Sequence, residues 1–235
     1  ADVSGQTVPL QRDSSASSMT NNNILESQTG GNLSIVNTTV TQGSNGIIRA
    51  ADATSTVRIV SSAVNGGTVT GAFSFNGSNS NVFNGVTVTG GSTLTLVGSR
   101  VLVQGGMTLN GEADISAAGY LASDATQTIS GSGSIKFTDN NTNNALTIEG
   151  ASTLTLGAGI LVHGAAGRIG AQYIDGSGEN GLINNGTISA DVSGQTITLQ
   201  MHSSASSMTN NNILESQNGG NLSIVNTTVT QGSNG

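Results

Sequence analysis

Apolar and polar residues alternate in short bursts along the whole chain. Examples are NLSI (32–35), STVRI (55–59), STLTL (92–96), GSIKF (133–137) and STLTL again (152–156). Strict alternation marks a strand with one face buried and one face in water. One apolar residue per burst gives a ladder of Leu33, Val57, Phe73, Leu94, Ala113, Ile135, Leu154, Tyr173, Ile197 and Leu222. Consecutive members stand about 21 residues apart on average, nearest at Val57 and Phe73 and furthest at Ile197 and Leu222. The text between these bursts is more short strand plus turn: TTVTQGSNG, SSAVNGG, GSRVLVQGG, AGILVHG.

That spacing predicts an all-β parallel β-helix. Antiparallel hairpins need a turn every 8–12 residues, and βαβ units need helical segments that are absent here. Two or three short strands with their turns use about 20 residues, the coil of a β-solenoid whose rungs stack about 4.8 Å apart. Hexapeptide left-handed solenoids hold coils near about 18 residues and fit less well. Inward Leu94, Leu96, Leu154 and Leu156 stack on their equivalents, while outward Thr93, Thr95, Thr153 and Thr155 favour strands and face water. Asn-Gly pairs at Asn45, Asn65, Asn76, Asn84, Asn110, Asn180 and Asn185 supply corners. Asn21–Asn23 and the asparagines of 140–144 stand either as stacked amide ladders or as loops.

The chain also repeats itself at long range. Residues 1–46 align without a gap with residues 190–235, and only Val8/Ile197, Pro9/Thr198, Arg12/Met201, Asp13/His202 and Thr29/Asn218 differ. The expected organisation is one continuous solenoid over 1–235, with 1–189 a full tandem repeat and 190–235 the start of the next. Nine coils of about 21 residues fill the repeat and advance the axis by about 43 Å. Both ends fall inside copies of one repeat, so the chain reads as a slice of a longer array. Val8/Ile197 keeps an inward position, and the Arg12/Met201 and Asp13/His202 exchanges read as an exposed loop near 14–23.

Composition narrows the functions. Charged residues are 8% and aromatics 3%, so the core must be built from small aliphatics in thin layers. Net charge is −7, and the six basic residues (Arg12, Arg49, Arg58, Arg100, Lys136, Arg168) are scattered, which argues against nucleic acid as a partner. There is no cysteine for a disulfide or thiolate metal site, and no apolar run of the ~20 residues a membrane helix needs.

Candidate chemistry is sparse. The acids Asp52, Glu112, Asp114, Asp124, Asp139, Glu149, Asp175 and Glu179 are far apart in sequence, although coils can stack Glu112 and Asp114 near Lys136. Sugar-processing sites gather carboxylates on one face and usually add aromatic platforms, and this chain offers only Tyr120 and Tyr173. The expectation is a protein without catalytic residues. Asp175, Glu179 and Asn180 in AQYIDGSGEN form an oxygen-rich turn that would suit Ca²⁺, but it lacks both the EF-hand and the glycine-rich nonapeptide spacing, and a plain turn is preferred. His163 reads as a solvent-facing or corner residue. His202 is Asp13 in the other copy, which argues against a required role. Thr-X-Thr triplets recur too irregularly to form one flat ice-binding face.

INNGTISADVSGQTITL followed by ILESQNGGNLSI, and ILESQTGGNLSI in the first copy, resemble the repeat-rich bacterial surface proteins with filamentous-haemagglutinin-like and autotransporter-like β-helices. GGSTLTLVGS (90–99) and GASTLTLGAG (150–159) are weaker echoes, and the likeness covers about half the chain. It implies a right-handed β-helix, secreted or held at a cell surface, with an adhesion, matrix or sheath role. The reading is an extracellular fibre or stalk whose partners are further copies of itself, joined covalently or by strand stacking. The alternative is an adhesin that binds cell-surface glycans through the 14–23 loop, and a carbohydrate-active enzyme ranks third.

Overall fold

The computed structural model describes residues 1–11, 18–170, 174, 176–203, 206–232 and 235. Among the described residues the regular structure is β-strand throughout, with no helix and hence none long and apolar enough to cross a membrane. Each pairing between strands is parallel, and the chain winds as a β-solenoid of nine turns.

Three sheets run along the axis. The first stacks ten strands: Thr7–Gln11, Asn32–Val36, Thr56–Val60, Ala72–Asn76, Thr93–Val97, Glu112–Ser116, Ser134–Phe137, Leu161–Gly164, Thr187–Ala190 and Ile213–Ser216. The second begins with Ser18–Asn21, Thr39–Gln42 and Ala63–Asn65, and ends with Gly167–Ile169, Thr196–Leu199 and Asn221–Ile224. The third begins with Ile24–Ser27, Ile47–Ala50 and Thr68–Thr70, and ends with Gly181–Asn184, Ser207–Asn210 and Thr228–Gln231. Two long strands, Asn81–Val88 and Arg100–Leu109, pass through the corner and belong to both.

Alternation decides which side chains go inside. Leu33, Val57, Phe73, Leu94, Ala113 and Ile135 are successive partners in the first sheet, as the ladder predicts. All are buried, as is the neighbouring column Ile35, Ile59, Phe75, Leu96, Ile115 and Phe137. Each of these side chains other than Ala113 contributes roughly 1.5–3 kcal/mol on burial. Beyond Ile135 the ladder slips. The partner of Ile135 is Val162 and not Leu154, because the corner after Phe137 runs over 138–144 where the preceding coil uses 117–119, and the second and third strands still follow before the chain returns. Leu154 lies in the third sheet between Gln127 and Leu182. Ile197 and Leu222 do pair, but in the second sheet. Tyr173 lies outside the described residues. The nine steps from Val8 to Leu214 average about 23 residues, slightly more than the spacing of the bursts implies.

The shortest step in the first sheet is the one from Val57 to Phe73. Near it sit Phe73, Phe75 and Phe83, with the last two edge to face at 5.3 Å. The fourth ring, Phe137, lies against Gly167, where a Cβ would come within 2.7 Å of it. Glycine is required there by contact.

Amides and hydroxyls tie the corners. Asn21 Nδ2 donates to Gln42 Oε1 (3.3 Å), and Asn184 Nδ2 to Asn210 Oδ1 (2.8 Å), so Asn21 belongs to a stacked ladder. Asn144 is also buried, but bridges Asp139 and Ala166 O inside a turn. Met201 corrects the exposed-loop reading of its segment, since it is buried in the core. Arg12, Asp13 and residues 14–17 lie outside the described residues.

A charged column as the candidate functional site

The outward side of the first sheet gathers two of the ion pairs found among the described residues. Alternation sends Asp114, Lys136 and His163 outward at one register position of three consecutive strands, with Glu112 two residues before Asp114 on the same side. Thr95 and Ser189 continue the column on either side. Stacking thus brings Glu112 and Asp114 to Lys136, as the sequence permits, and adds His163, which the slipped ladder misses.

The geometry is specific. Lys136 Nζ lies 3.8 Å from Glu112 Oε1, and Ser134 Oγ donates to Glu112 Oε2 at 3.1 Å. His163 Nδ1 is 2.9 Å from Asp191 Oδ2, whose other oxygen accepts the Gly164 N–H at 3.0 Å. Asp114 Oδ1 is out of reach of water and has no hydrogen-bond partner. Burial pushes the Asp114 carboxyl up to about 6, helped by a hydrogen bond to Glu112 and its charge, against the pull of Lys136 and His163. The Asp114 carboxyl therefore holds its proton to a higher pH than an ordinary aspartate does.

Beside Glu112 runs an open groove of about 380 Å³ lined by Gly91, Thr93, Asn110, Glu112, Ser134 and Leu161. Hydroxyls, amides and one carboxylate line it, without an aromatic platform. Tyr120 stands on the second sheet, paired in register with Arg100 and Ala145, and the four phenylalanines are buried. Glu112 accepts from Ser134 and pairs with Lys136, while Asp114 Oδ1 is left without a partner.

Other acids serve turns. Asp139 accepts the Ala117 N–H (2.8 Å), the Asn141 N–H (3.1 Å) and the Asn144 amide (2.6 Å). Burial raises its pKa, but these donors outweigh burial and hold it below the usual carboxylate range. Asp52 likewise caps a turn, accepting from Thr29 N at 2.6 Å and Thr54 N at 2.9 Å.

In the oxygen-rich turn, Asn180 is bonded to the protein's own backbone. Asn180 is buried, its amide donates to Ile148 O and Gly170 O, and its oxygen accepts the His202 N–H at 3.0 Å. Glu179 is exposed, and Asp175 lies outside the described residues. No cluster of three or more His, Asp or Glu suited to a metal occurs among the described residues. His202 is exposed. One pair has no sequence signal: Arg100 Nη2 meets Glu149 Oε2 at 2.6 Å, with both side chains nearly buried on the outer side of the second sheet.

Comparison with protein-family models, curated proteins and solved structures found no match for this chain. The likeness to surface-protein repeats therefore rests on the quoted phrases and on the parallel solenoid.

Proposed function

We propose that the chain is a structural segment of an extracellular or cell-surface fibre, built from tandem β-solenoid repeats and acting by length and stiffness, not by catalysis. One observation carries this reading. Residues 1–46 and 190–235 agree at all but five positions, outward residues included, and both copies form rungs of one uninterrupted stack. Packing alone requires only the right type of residue at each position. In a solenoid each coil contacts its neighbours, so units can be added without redesign. The absence of cysteine, the low charge and the phrases shared with repeat-rich bacterial surface proteins agree with that setting.

The principal partner is another copy, joined in the same chain or stacked by strand edges. On this reading the charged column is a surface feature of the fibre, and the groove beside it has no aromatic side chain in its lining. Electron microscopy of the native material tests the proposal. The expected object is a thin unbranched fibre with an axial repeat of about 4.8 Å. Isolated globular particles in the native material, or turnover of a polysaccharide lost on substituting Glu112 or Asp114, would overturn it.

A further inference from the structure

The duplication has a phase that the sequence does not show. Eight rung-to-rung steps in the first sheet lead from Val8 to Ile188. Val8's counterpart in the second copy is Ile197, nine positions later and already in the second sheet, paired with Leu222. The same shift holds for every strand that can be compared. Ser18–Asn21 lies in the second sheet and its counterpart Ser207–Asn210 in the third. Ile24–Ser27 lies in the third, and its counterpart Ile213–Ser216 in the first.

Local structure is unaffected by the change of sheet. Thr7 pairs with Asn32 and Thr196 with Asn221; Ser18 pairs with Thr39 and Ser207 with Thr228. Asn21 donates to Gln42, and Asn210 to Gln231. The left-handed corners repeat too, with φ of 60° at Thr29 and 51° at Asn218, and 47° at Asn37 and 46° at Asn226. The same letters make the same coil whichever side of the prism they occupy.

We infer that an array of these repeats is a three-sided screw: each 189-residue unit carries the chain eight whole turns and one sheet further, so equivalent surfaces point to three sides in turn. Each unit then rises about 40 Å, and the array returns to its starting face after three units, about 120 Å. The column of Glu112, Asp114, Lys136 and His163 occurs once per unit on one sheet, so it would recur on all three flanks. Such a fibre offers one chemistry to neighbouring copies in three directions. An in-phase repeat would confine it to a single flank.

The inference rests on the fibre reading for its array, but the phase can be tested in this chain alone. With no native cysteine, paired cysteines report on neighbouring rungs, since facing Cα atoms fall within the range that a disulfide spans, about 4.4–6.8 Å. Arg168→Cys with Thr198→Cys, facing outward on the second sheet, should cross-link readily on mild oxidation. Lys136→Cys with Thr155→Cys, which an in-phase repeat of uniform coils would place side by side, should not. The reverse result, or cross-linking of neither pair while Lys136→Cys with His163→Cys also fails, would overturn the phase. In the native fibre, helical reconstruction should give a rise of about 40 Å with a third of a turn per unit; a rise without rotation would overturn the screw. If no fibre exists, the fibre proposal fails, while the cross-links still decide the phase.

Discussion

The buried pair of Arg100 and Glu149 gives the sharpest test of how the outer side of the second sheet is held. The two residues lie two rungs apart, with side chains 10% and 1% exposed and 2.6 Å between charged atoms. Arg100 Nε and Glu149 Oε1 are buried without a partner among the described residues, and Arg100 adds only a long bond from Nη1 to Asn79 O at 3.4 Å, so the ions depend chiefly on one another. Arg100→Met strands a carboxylate in a nearly dry site, which costs about 3–5 kcal/mol for a buried pair. Glu149→Leu strands a guanidinium, whose long stem can partly reach water, so its cost falls at the lower end, about 3 kcal/mol. Replacing both ions together by apolar groups should return the protein to within about 1 kcal/mol of the parent. Because a solenoid can open locally, amide exchange over Arg100–Leu109, Tyr120–Ser123 and Ala145–Ile148 is the proper assay, alongside urea denaturation. Each single change should speed exchange there by about two to three and a half orders of magnitude, and the double change should restore protection. If both singles cost less than about 1 kcal/mol and add, the pair behaves as a solvated surface bridge and the reasoning fails.

Three further outcomes follow from other parts of the solenoid. Gly167→Ala puts a Cβ 2.7 Å from the Phe137 ring and should destabilise by about 1–3 kcal/mol in thermal melts, with Phe137→Leu in the same chain relieving part of the loss. Asp114 titrates near 6, above its ordinary 3.8, so its contribution is fully present below about pH 4 and is lost as pH rises through 6. The melting temperature should therefore fall over that window, and Asp114→Asn should flatten the fall; an unchanged profile refutes the buried carboxyl. Asp139 has the opposite sign, because its lowered pKa gives stability above the unfolded value that is lost on acidification. Asp139→Asn should weaken the protein at pH 7 and remove part of its acid sensitivity, read by melting across pH 2–7.

Alternation with period two tells a residue's side but not its sheet. That is why Leu33 to Ile135 reads correctly as a stack, and why Leu154, in an identical STLTL burst, falls one sheet away from its expected place. Nothing in TLTL distinguishes the first sheet from the third; only the length of chain between rungs does, and the long step from Ile135 to Val162 departs from the mean. The candidate site inherits the same limit. Glu112, Asp114 and Lys136 lie before the slip, and their proximity is legible. His163 and Asp191 lie beyond it, and theirs is not. Arg100 and Glu149 are 49 residues apart at outward positions, where a strand pattern predicts water, so their burial is a tertiary fact without a local signature. Met201 escapes the sequence reading because its counterpart Arg12 makes the segment look like a loop.

The duplicated coils also separate what a rung's own sequence provides from what its neighbours provide. Ile35 and Ile224 occupy equivalent places in identical NLSI bursts, yet Ile35 is wholly buried and Ile224 is 49% exposed. The difference lies in coverage. Asn32–Val36 has a rung on both sides, whereas Asn221–Ile224 pairs on one side alone. Val8, 48% exposed, and its counterpart Ile197, fully buried between two rungs, show the same contrast. An uncovered rung already has its pairing to the rung beneath and its left-handed corner at Asn226, so shape comes from the letters. Much of the apolar burial, at about 25 cal/mol per Å², arrives only when the next rung closes over it. Adding a coil to such a stack is therefore favourable wherever the incoming burst has the right alternation, on whichever of the three sheets it lands. That indifference to the sheet is what allows a repeat that is not a whole number of turns to propagate.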